Sequence, residues 1–488
     1  MGGTRRVAVI GGGVSGLATA YHLVGGSDAS QGAGDGHGVA VTVLEAGDRP
    51  GGKIDSATVG GVTVDTGPDA LMIKAPAAAE LVADLGLDDD LRPPSGRGAY
   101  LWSKGALRPL PPGSVFGVPD KLWPLLRSGL LGPWGFVRAG ADLVLPRAPL
   151  SGDPTIEEIL RPRFGTQVFD RLVEPLLGGV HAGRAGRLSA RSAAGEVFSL
   201  AEGRRSLYLA LRNRRTDQRP PASPPRPALM SLRGGLGRLV DGLVGVLGRT
   251  PSATVLTGAT VTSIARHGGG YRITGDGFEP LDVDDVVLAT PAWAAEKLLR
   301  PVAPSAADAV KGIPYVGVAT VVLAYSPEAV GGVPSGTGFL VPPVERRLLV
   351  GCTWSTSKWP HLLEGRSPDA GDPPVVIRAM VGRDGDQAWS GMDDAVLVTA
   401  VRRELAASMG VHGEPDAVHV RRLPLAMPQY TVGHADRLRA ADRALAEPPG
   451  LYLTGAGYRG VGLAACLAQA KNVAAAVRAR VAEPVPAA

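Results

Sequence analysis

The chain is poor in cysteine. Two thiols, Cys352 and Cys466, stand in 488 residues. They lie far apart and in no Cys-x-x-Cys or other metal-ligand spacing, which excludes a disulfide framework and predicts two buried apolar thiols in a reducing compartment. The eight histidines are scattered and form no ligand cluster, so no metal site is expected. No uninterrupted run approaches the ~20 apolar residues of a membrane span. The start "MGGTRRVAVIGGG" runs straight into a strand pattern without the apolar stretch of a secretory signal. A cytoplasmic location is the expectation. Neither sign of charge is in large excess: 51 basic against 46 acidic residues, net +5. That is too weak and dispersed for nucleic acid, but it suits an acidic small substrate or an anionic membrane surface. There is no Ser-His-Asp set, zinc spacing or Walker loop (Gly-x-x-x-x-Gly-Lys followed by Ser or Thr), and no internal repeat.

What the chain does have is glycine and proline, 68 and 42 residues, on a globular background of 44% hydrophobic and 20% charged residues. The length accommodates two or three domains with full cores. Val7–Ile10 is a short β-branched run that reads as a buried strand. It enters Gly11-x-Gly13-x-x-Gly16, and Val14–Leu23 continues as a helical pattern. The glycines suit a tight turn, close approach to a pyrophosphate and close helix–strand packing. The helix N-terminus offers free N–H groups to phosphate. A second strand, Val39–Leu44, ends in Glu45, whose carboxylate can accept ribose hydroxyls. That acid lies beyond the usual spacing because Val24–Gly38 intervenes as a surface loop. Gly11, Gly12, Gly13, Val14, Ser15, Gly16, Glu45 and Ala46 are the first cofactor candidates.

After Glu45 comes "AGDRPGGKI", a second glycine pair with nearby cations, fit to contact a ligand longer than NAD's adenylate. Glu45, Arg49, Gly51, Gly52 and Lys53 resemble the Glu-x-x-x-Arg-x-Gly-Gly-Lys signature of FAD-dependent oxidases of the amine oxidase superfamily. The resemblance implies FAD as cofactor and an α/β fold: a Rossmann-like FAD-binding domain of the p-hydroxybenzoate-hydroxylase-like kind, an antiparallel-sheet substrate domain and a helical insertion. It adds Arg49, Gly52 and Lys53 to the cofactor set. It places the turn Gly67, Pro68, Asp69 and Ala70 beside the flavin, and the backbone of Val261 against adenine. Thr254–Gly277 reads as a hairpin, and Asp284–Trp293 as a buried strand with a following turn. At the other end, "LYLTGAGYRGVGLAACLAQAKN" is a strand, a turn with four glycines in eight residues, Gly455–Gly462, and a helical pattern. By resemblance, Gly455, Val461, Gly462 and Leu463 lie under the flavin, and the helix N-terminus stabilises negative charge on the reduced ring.

Val173–Ala193, Met230–Leu243, "MPQYTVGH" at Met427–His434 and Gly457–Ala470 resemble the oxygen-dependent porphyrinogen oxidases. Two positions depart from that pattern: the Pro-Asp after Gly-Val-Gly is absent although Cys466 is kept, and Leu423 stands where the family often has Trp. The resemblance implies oxidation of a tetrapyrrole porphyrinogen by molecular oxygen in haem biosynthesis. Three two-electron cycles would each release hydrogen peroxide, with the flavin rather than a side chain as the catalytic group. Coproporphyrinogen III is the expected substrate and protoporphyrinogen IX the alternative. Lys74 is the substrate-binding candidate, as partner for a propionate. His181 and His434 sit in family motifs with no direct chemical role assigned. A flavin amine oxidase, a carotenoid desaturase and a non-enzymatic escort share the fold. Low aromatic content (5%), the "MPQYTVGH" segment and the intact Glu45 and glycines argue against each in turn.

The expected domains are FAD-binding over 1–90, 229–303 and 418–488, substrate-binding over 91–114 and 304–417, and helical over 115–228. Val118–Arg147 reads as amphipathic helices broken by Gly and Pro, fit for a substrate entrance, a peripheral membrane contact or an ordinary subdomain. Gly203–Pro227, rich in Arg and Pro, reads as a solvated linker. Val316–Tyr325 and Gly371–Gly382 read as strands of an antiparallel sheet roofing the flavin. Contact with a downstream haem-pathway enzyme fits the expected product, and oligomeric state is left open.

Overall fold

The computed structural model describes residues 4–26, 38–96, 98–112, 114–115, 117–119, 121–146, 150–217, 227–332, 335–367, 371–447 and 449–482. At its centre is a parallel five-stranded sheet. In chain order its strands are β1 (Arg5–Ile10), β2 (Val39–Leu44), β3 (Ala253–Leu256), β4 (Asp285–Leu288) and β5 (Leu451–Leu453). Their spatial order is β3-β2-β1-β4-β5. The strands read as continuous apolar runs because both faces are covered. Val7, Val9, Val41, Val43 and Val287 face α1 (Val14–Leu23), α2 (Gly237–Arg249) and α3 (Leu463–Ala482). Ala8, Ile10, Leu44, Val286 and Leu288 face the opposite layer, which includes the hairpin of Thr260–His267 and Gly270–Asp276.

The first and last elements are locked together. Asp285, fully buried on β4, pairs with Arg5 of β1 and with Arg480 near the end of α3, the latter at 2.6 Å. A buried carboxylate is tolerable only with such partners.

Above the edge of this domain lies a seven-stranded sheet. In spatial order its strands are Ala417–Pro428, Tyr315–Tyr325, Val375–Val381, Leu349–Trp354, Gly338–Leu340, Tyr100–Ser103 and Ala106–Pro109. One face packs on the helix Asp394–Met409. The other packs on the hairpin Ser56–Val59/Val62–Asp65, through Val59, Val62, Val64, Val322, Ala324 and Val376. A separate apolar core belongs to the helical insertion, from Val118 to Leu211. Its buried ion pair, Arg163–Asp142 at 3.2 Å, is completed by Ser206 Oγ donating to Asp142 at 2.7 Å.

Four expectations change. The strand Ala417–Pro428 pairs with Tyr315–Tyr325, so the segment from 418 begins in the substrate sheet, not in the cofactor domain. The boundary at 303 also moves, because the helix Pro304–Lys311 packs into the lower core of the cofactor domain. Thr254–Gly277 is no single hairpin: β3 leaves to pair with β2, and only Thr260–Asp276 folds back on itself. Of the supposed linker Gly203–Pro227, Leu207–Asp217 is helix, because Leu207 and Leu211 have a core to join. Residues 218–226 of that linker and most of the Val24–Gly38 loop lie outside the described residues.

Candidate cofactor site

The first turn is set by atoms in its own neighbourhood. Gly11 has φ +106°, a conformation that favours glycine. Gly16 is needed for packing: a Cβ there would fall on the carbonyl oxygen of Gly11. Gly12 lies against Glu45, where a Cβ would meet the Glu45 Cβ at 2.8 Å. Both Glu45 oxygens accept backbone N–H groups, Oε2 from Gly12 at 2.6 Å and Oε1 from Gly47 at 2.8 Å. This fixes the carboxylate at the end of β2. Val14 and Ser15 are buried as α1 begins, and Ala46 is exposed.

The second glycine turn docks onto the first. Gly51 N–H donates to the Gly12 carbonyl at 2.8 Å, and a Cβ on Gly52 would meet the Gly13 Cα at 3.2 Å. Arg49 turns back on its own loop: it pairs with Asp55 at 2.8 Å and donates to the Pro50 and Ile54 carbonyls. Burial pushes the Lys53 ammonium below its ordinary value, with Cys466 nearby. Among the described residues Lys53 has no carboxylate partner.

Gly67 abuts the same turn: a Cβ there would overlap the Lys53 carbonyl oxygen. The carboxylate of Asp69, a residue placed with the cofactor set by resemblance, is held by side chains of the substrate domain. Its Oδ2 accepts from Lys358 Nζ at 2.9 Å and Trp359 Nε1 at 3.1 Å, and Arg378 lies 3.4 Å away. Burial alone would raise its pKa, but Arg378 and Lys358 prevail and hold the carboxyl well below the usual carboxylate range. Pro68 and Ala70, on either side, are half-buried. Asp65 behaves oppositely. Burial pushes it up to about 6, although it accepts from Leu236 N–H at 3.1 Å and Ser56 Oγ at 2.9 Å ahead of α2.

The C-terminal turn is held from outside. Tyr430 Oη donates to the Ala456 carbonyl and accepts from Gly460 N–H, both at 2.7 Å. Its ring stacks on His434 at 4.0 Å and 15°, and His434 Nε2 lies 2.8 Å from the Tyr458 carbonyl. Gln429 Nε2 donates to the His181 carbonyl at 2.8 Å. His181 and His434 are both buried, and burial lowers both pKa values. The two terminal turns also meet, for a Cβ on Gly455 would lie 3.8 Å from Ser15 Oγ. Val461 and Leu463 are half-buried beside exposed Gly462.

The residues present fit FAD. Among the described residues, a Cβ at Gly13 or at Gly462 would meet nothing within 4 Å beyond its chain neighbours, so both backbones face open space. Among the described residues, the buried Thr290 and Thr454 hydroxyls have no hydrogen-bond partner. Lys53, half-buried and with its ammonium pKa lowered by desolvation, follows the second glycine turn and has Cys466 nearby. Val261 lies on the strand Thr260–His267, where Ala259 N–H donates to the Glu45 carbonyl at 2.8 Å. Lys74 is exposed and lies just past the short strand Leu71–Met72, which pairs with Leu229–Met230. Among the described residues it has no ion-pair partner.

Arg378, Arg421, Lys358 and Trp359 are site-supporting residues that the motif reading missed. Arg378 left a signal: one arginine inside the apolar strand "VVIRAMV" must find partners when buried. Arg421 left none, because "VRRL" does not say which arginine turns inward.

The flavin-containing amine oxidoreductase family model matches residues 14–478. The chain is 32% identical over 473 residues to a coproporphyrinogen III oxidase of Bacillus subtilis, covering 96% of this chain and 97% of that one. It is 34% identical over 482 residues to a coproporphyrinogen III oxidase of Mycobacterium leprae, covering 98% and 99%. A crystal structure from Exiguobacterium sp. 255-15, provisionally assigned as a protoporphyrinogen oxidase, superposes with a TM-score of 0.82 at 30% identity, covering 98% of this chain and 99% of that one. The chain therefore belongs to the flavin-containing amine oxidoreductase family, and FAD is its cofactor.

Proposed function

We propose that the chain oxidises coproporphyrinogen III to coproporphyrin III in haem biosynthesis, with molecular oxygen as terminal acceptor and hydrogen peroxide as by-product. The observation that supports it is coverage: the similarity to the two coproporphyrinogen III oxidases runs through the roof sheet and the helical insertion, not the cofactor domain alone. Bound FAD supplies the two-electron acceptor. Three cycles remove the six hydrogens that separate porphyrinogen from porphyrin, and each passes two electrons and two protons to one oxygen molecule.

The chain's own residues bind, orient and shield. Gly13 and Lys53 face the pyrophosphate, and Glu45 the ribose. Gly67–Ala70 and Val461–Leu463 flank the flavin ring, and the seven-stranded sheet screens it from water. Aromatisation of the macrocycle drives the reaction, so no strong side-chain base is required. Lys74 pairs with a substrate propionate. The helical insertion presents Trp123, Trp134 and Val144 at 60%, 84% and 72% exposure, with the Arg127 guanidinium 4.9 Å from the Trp123 ring. Exposed tryptophan beside arginine suits a peripheral membrane contact.

Porphyrin fluorescence followed in air, with coproporphyrinogen III and protoporphyrinogen IX in parallel, tests this reading. Faster gain with coproporphyrinogen III is expected. Gain with neither overturns the function, and faster gain with protoporphyrinogen IX overturns the substrate. Lys74→Ala should raise KM by about 2- to 5-fold, the worth of one exposed ion pair, with flavin content unchanged. Lost flavin would place Lys74 at the cofactor instead. Flotation with anionic vesicles should be weakened by Trp134→Ser.

A further inference from the structure

Two arginines of the seven-stranded sheet reach across the domain boundary. Arg421 pairs in register with Thr320, and Arg378 with Val322, so both project from the face that meets the Ser56–Asp65 hairpin. Arg421 donates through Nη1 to the Lys53 carbonyl at 3.0 Å and Thr66 Oγ1 at 3.1 Å. Through Nη2 it donates to the Gly52 carbonyl at 3.0 Å, and Asp55 lies 3.4 Å from its Nε. Arg378, itself buried, donates to the Gly67 carbonyl at 2.6 Å and the Asp65 carbonyl at 3.1 Å, and pairs with Asp69. Four backbone carbonyls on two cofactor-domain turns are thus held by guanidinium forks from another domain. Each fork is rigid and planar, so it fixes direction as well as distance.

Gly51 N–H on the Gly12 carbonyl and Arg49 on the Pro50 and Ile54 carbonyls hold the start and end of the second glycine turn, and the two guanidinium forks hold the Gly52, Lys53 and Gly67 carbonyls. Gly52 has φ +59°, and Gly67 has no room for a side chain against Lys53. Glycines lose the most backbone freedom on ordering, so a turn built on them needs outside restraint. Gly52 lies directly on Gly13, the open backbone of the first turn. Whatever fixes Gly52 also fixes the approach to Gly13.

We propose that Arg421 and Arg378 are positioning residues for the cofactor: the substrate domain completes the FAD site, and FAD affinity depends on its docking. Among the described residues, the polar partners of the pair are Gly52, Lys53, Asp55, Asp65, Thr66, Gly67 and Asp69. The pair acts by presenting Gly52, Lys53 and Gly67 already ordered, which lowers the entropy cost of binding.

The test compares FAD affinity with stability in the full chain, freed of flavin and titrated back. Arg421→Met should raise the FAD Kd at least tenfold, and Arg378→Met likewise. Arg421→Lys, which keeps the charge and loses the fork, should fall between Arg421→Met and the unmodified chain. The control is Arg163→Met, which breaks a buried arginine pair in the helical insertion and contacts no cofactor turn. It should lower the melting temperature and leave the Kd unchanged. If Arg421→Met gives no soluble protein, Arg421→Lys against Arg163→Met carries the comparison. A Kd within twofold of the unmodified chain in the arginine variants, or an equal rise in Arg163→Met, overturns the proposal. The readout is flavin binding, so it stands whether or not a porphyrinogen is the substrate.

Discussion

Two glycine-rich turns lead from strand to helix in the same sheet, one at each end of the chain, and they are built by different means. Gly11–Gly16 is compressed against its immediate surroundings: Gly16 on the Gly11 carbonyl, Gly12 on Glu45. Gly455–Gly462 takes eight residues to reach its helix, and side chains from elsewhere hold its path. Tyr430 spans it from Ala456 to Gly460, His434 meets Tyr458, and Gln469 Oε1 accepts Arg459 N–H at 3.2 Å. A phosphate-binding turn is a local object, because strand, glycines and helix N-terminus suffice. A turn beside an extended ring must be set at a given height and tilt, and that takes tertiary contacts.

The largest effect should come from breaking the local turn. Gly16→Val places branched carbon on the Gly11 carbonyl, which should abolish flavin absorbance and cost about 3 kcal/mol or more in denaturant unfolding. A flavin-loaded variant of normal stability would show that the turn has slack.

The junction between the Ser56–Asp65 hairpin and the start of α2 gives a smaller effect with a pH signature. Asp65 titrates near 6 when folded against 3.8 ordinarily, because burial penalises its charge. A raised carboxyl binds its proton more tightly in the folded chain. Its charge therefore costs stability above pH 6, and that cost is relieved as pH falls from about 6 to about 4. Asp65→Asn keeps an acceptor for Leu236 and has no charge to relieve. The difference in unfolding free energy between the unmodified chain and this variant should change by about 2.4 kcal/mol in favour of the unmodified chain between pH 7 and pH 4. A difference independent of pH would mean that Asp65 is not penalised by burial.

Breaking the outside support should do less. Tyr430→Phe keeps the stack on His434 and removes both hydrogen bonds to the turn. About 1–3 kcal/mol is expected, for the Ala456 and Gly460 groups left unpaired. Flavin affinity should fall with it, and intact affinity would make the tyrosine a core residue only.

The same contrast explains what could be read before the fold was seen. β1, its glycines, α1 and β2 ending at Glu45 were legible because their spacing is their mechanism. The strands Tyr315–Tyr325 and Val375–Val381 were legible from apolar runs. The boundary at 418 was misread because Ala417–Pro428 carries exposed and charged residues along its length, as an edge strand does. Asp69 was assigned to the cofactor by motif, but its partners Lys358, Trp359 and Arg378 lie some 300 residues away and no spacing announces them. Tyr430 stood in a recognised motif, yet its task shows only once Ala456 and Gly460 are in place.

The central claim is that both ends of the chain hold one FAD. Gly462→Ala tests it most directly, because among the described residues the added Cβ meets nothing within 4 Å beyond its chain neighbours. The flavin-free variant should unfold with the same free energy as the unmodified flavin-free chain, while its FAD Kd, titrated by flavin fluorescence, rises about tenfold. An unchanged Kd would contradict the account and leave the C-terminal turn as structure alone.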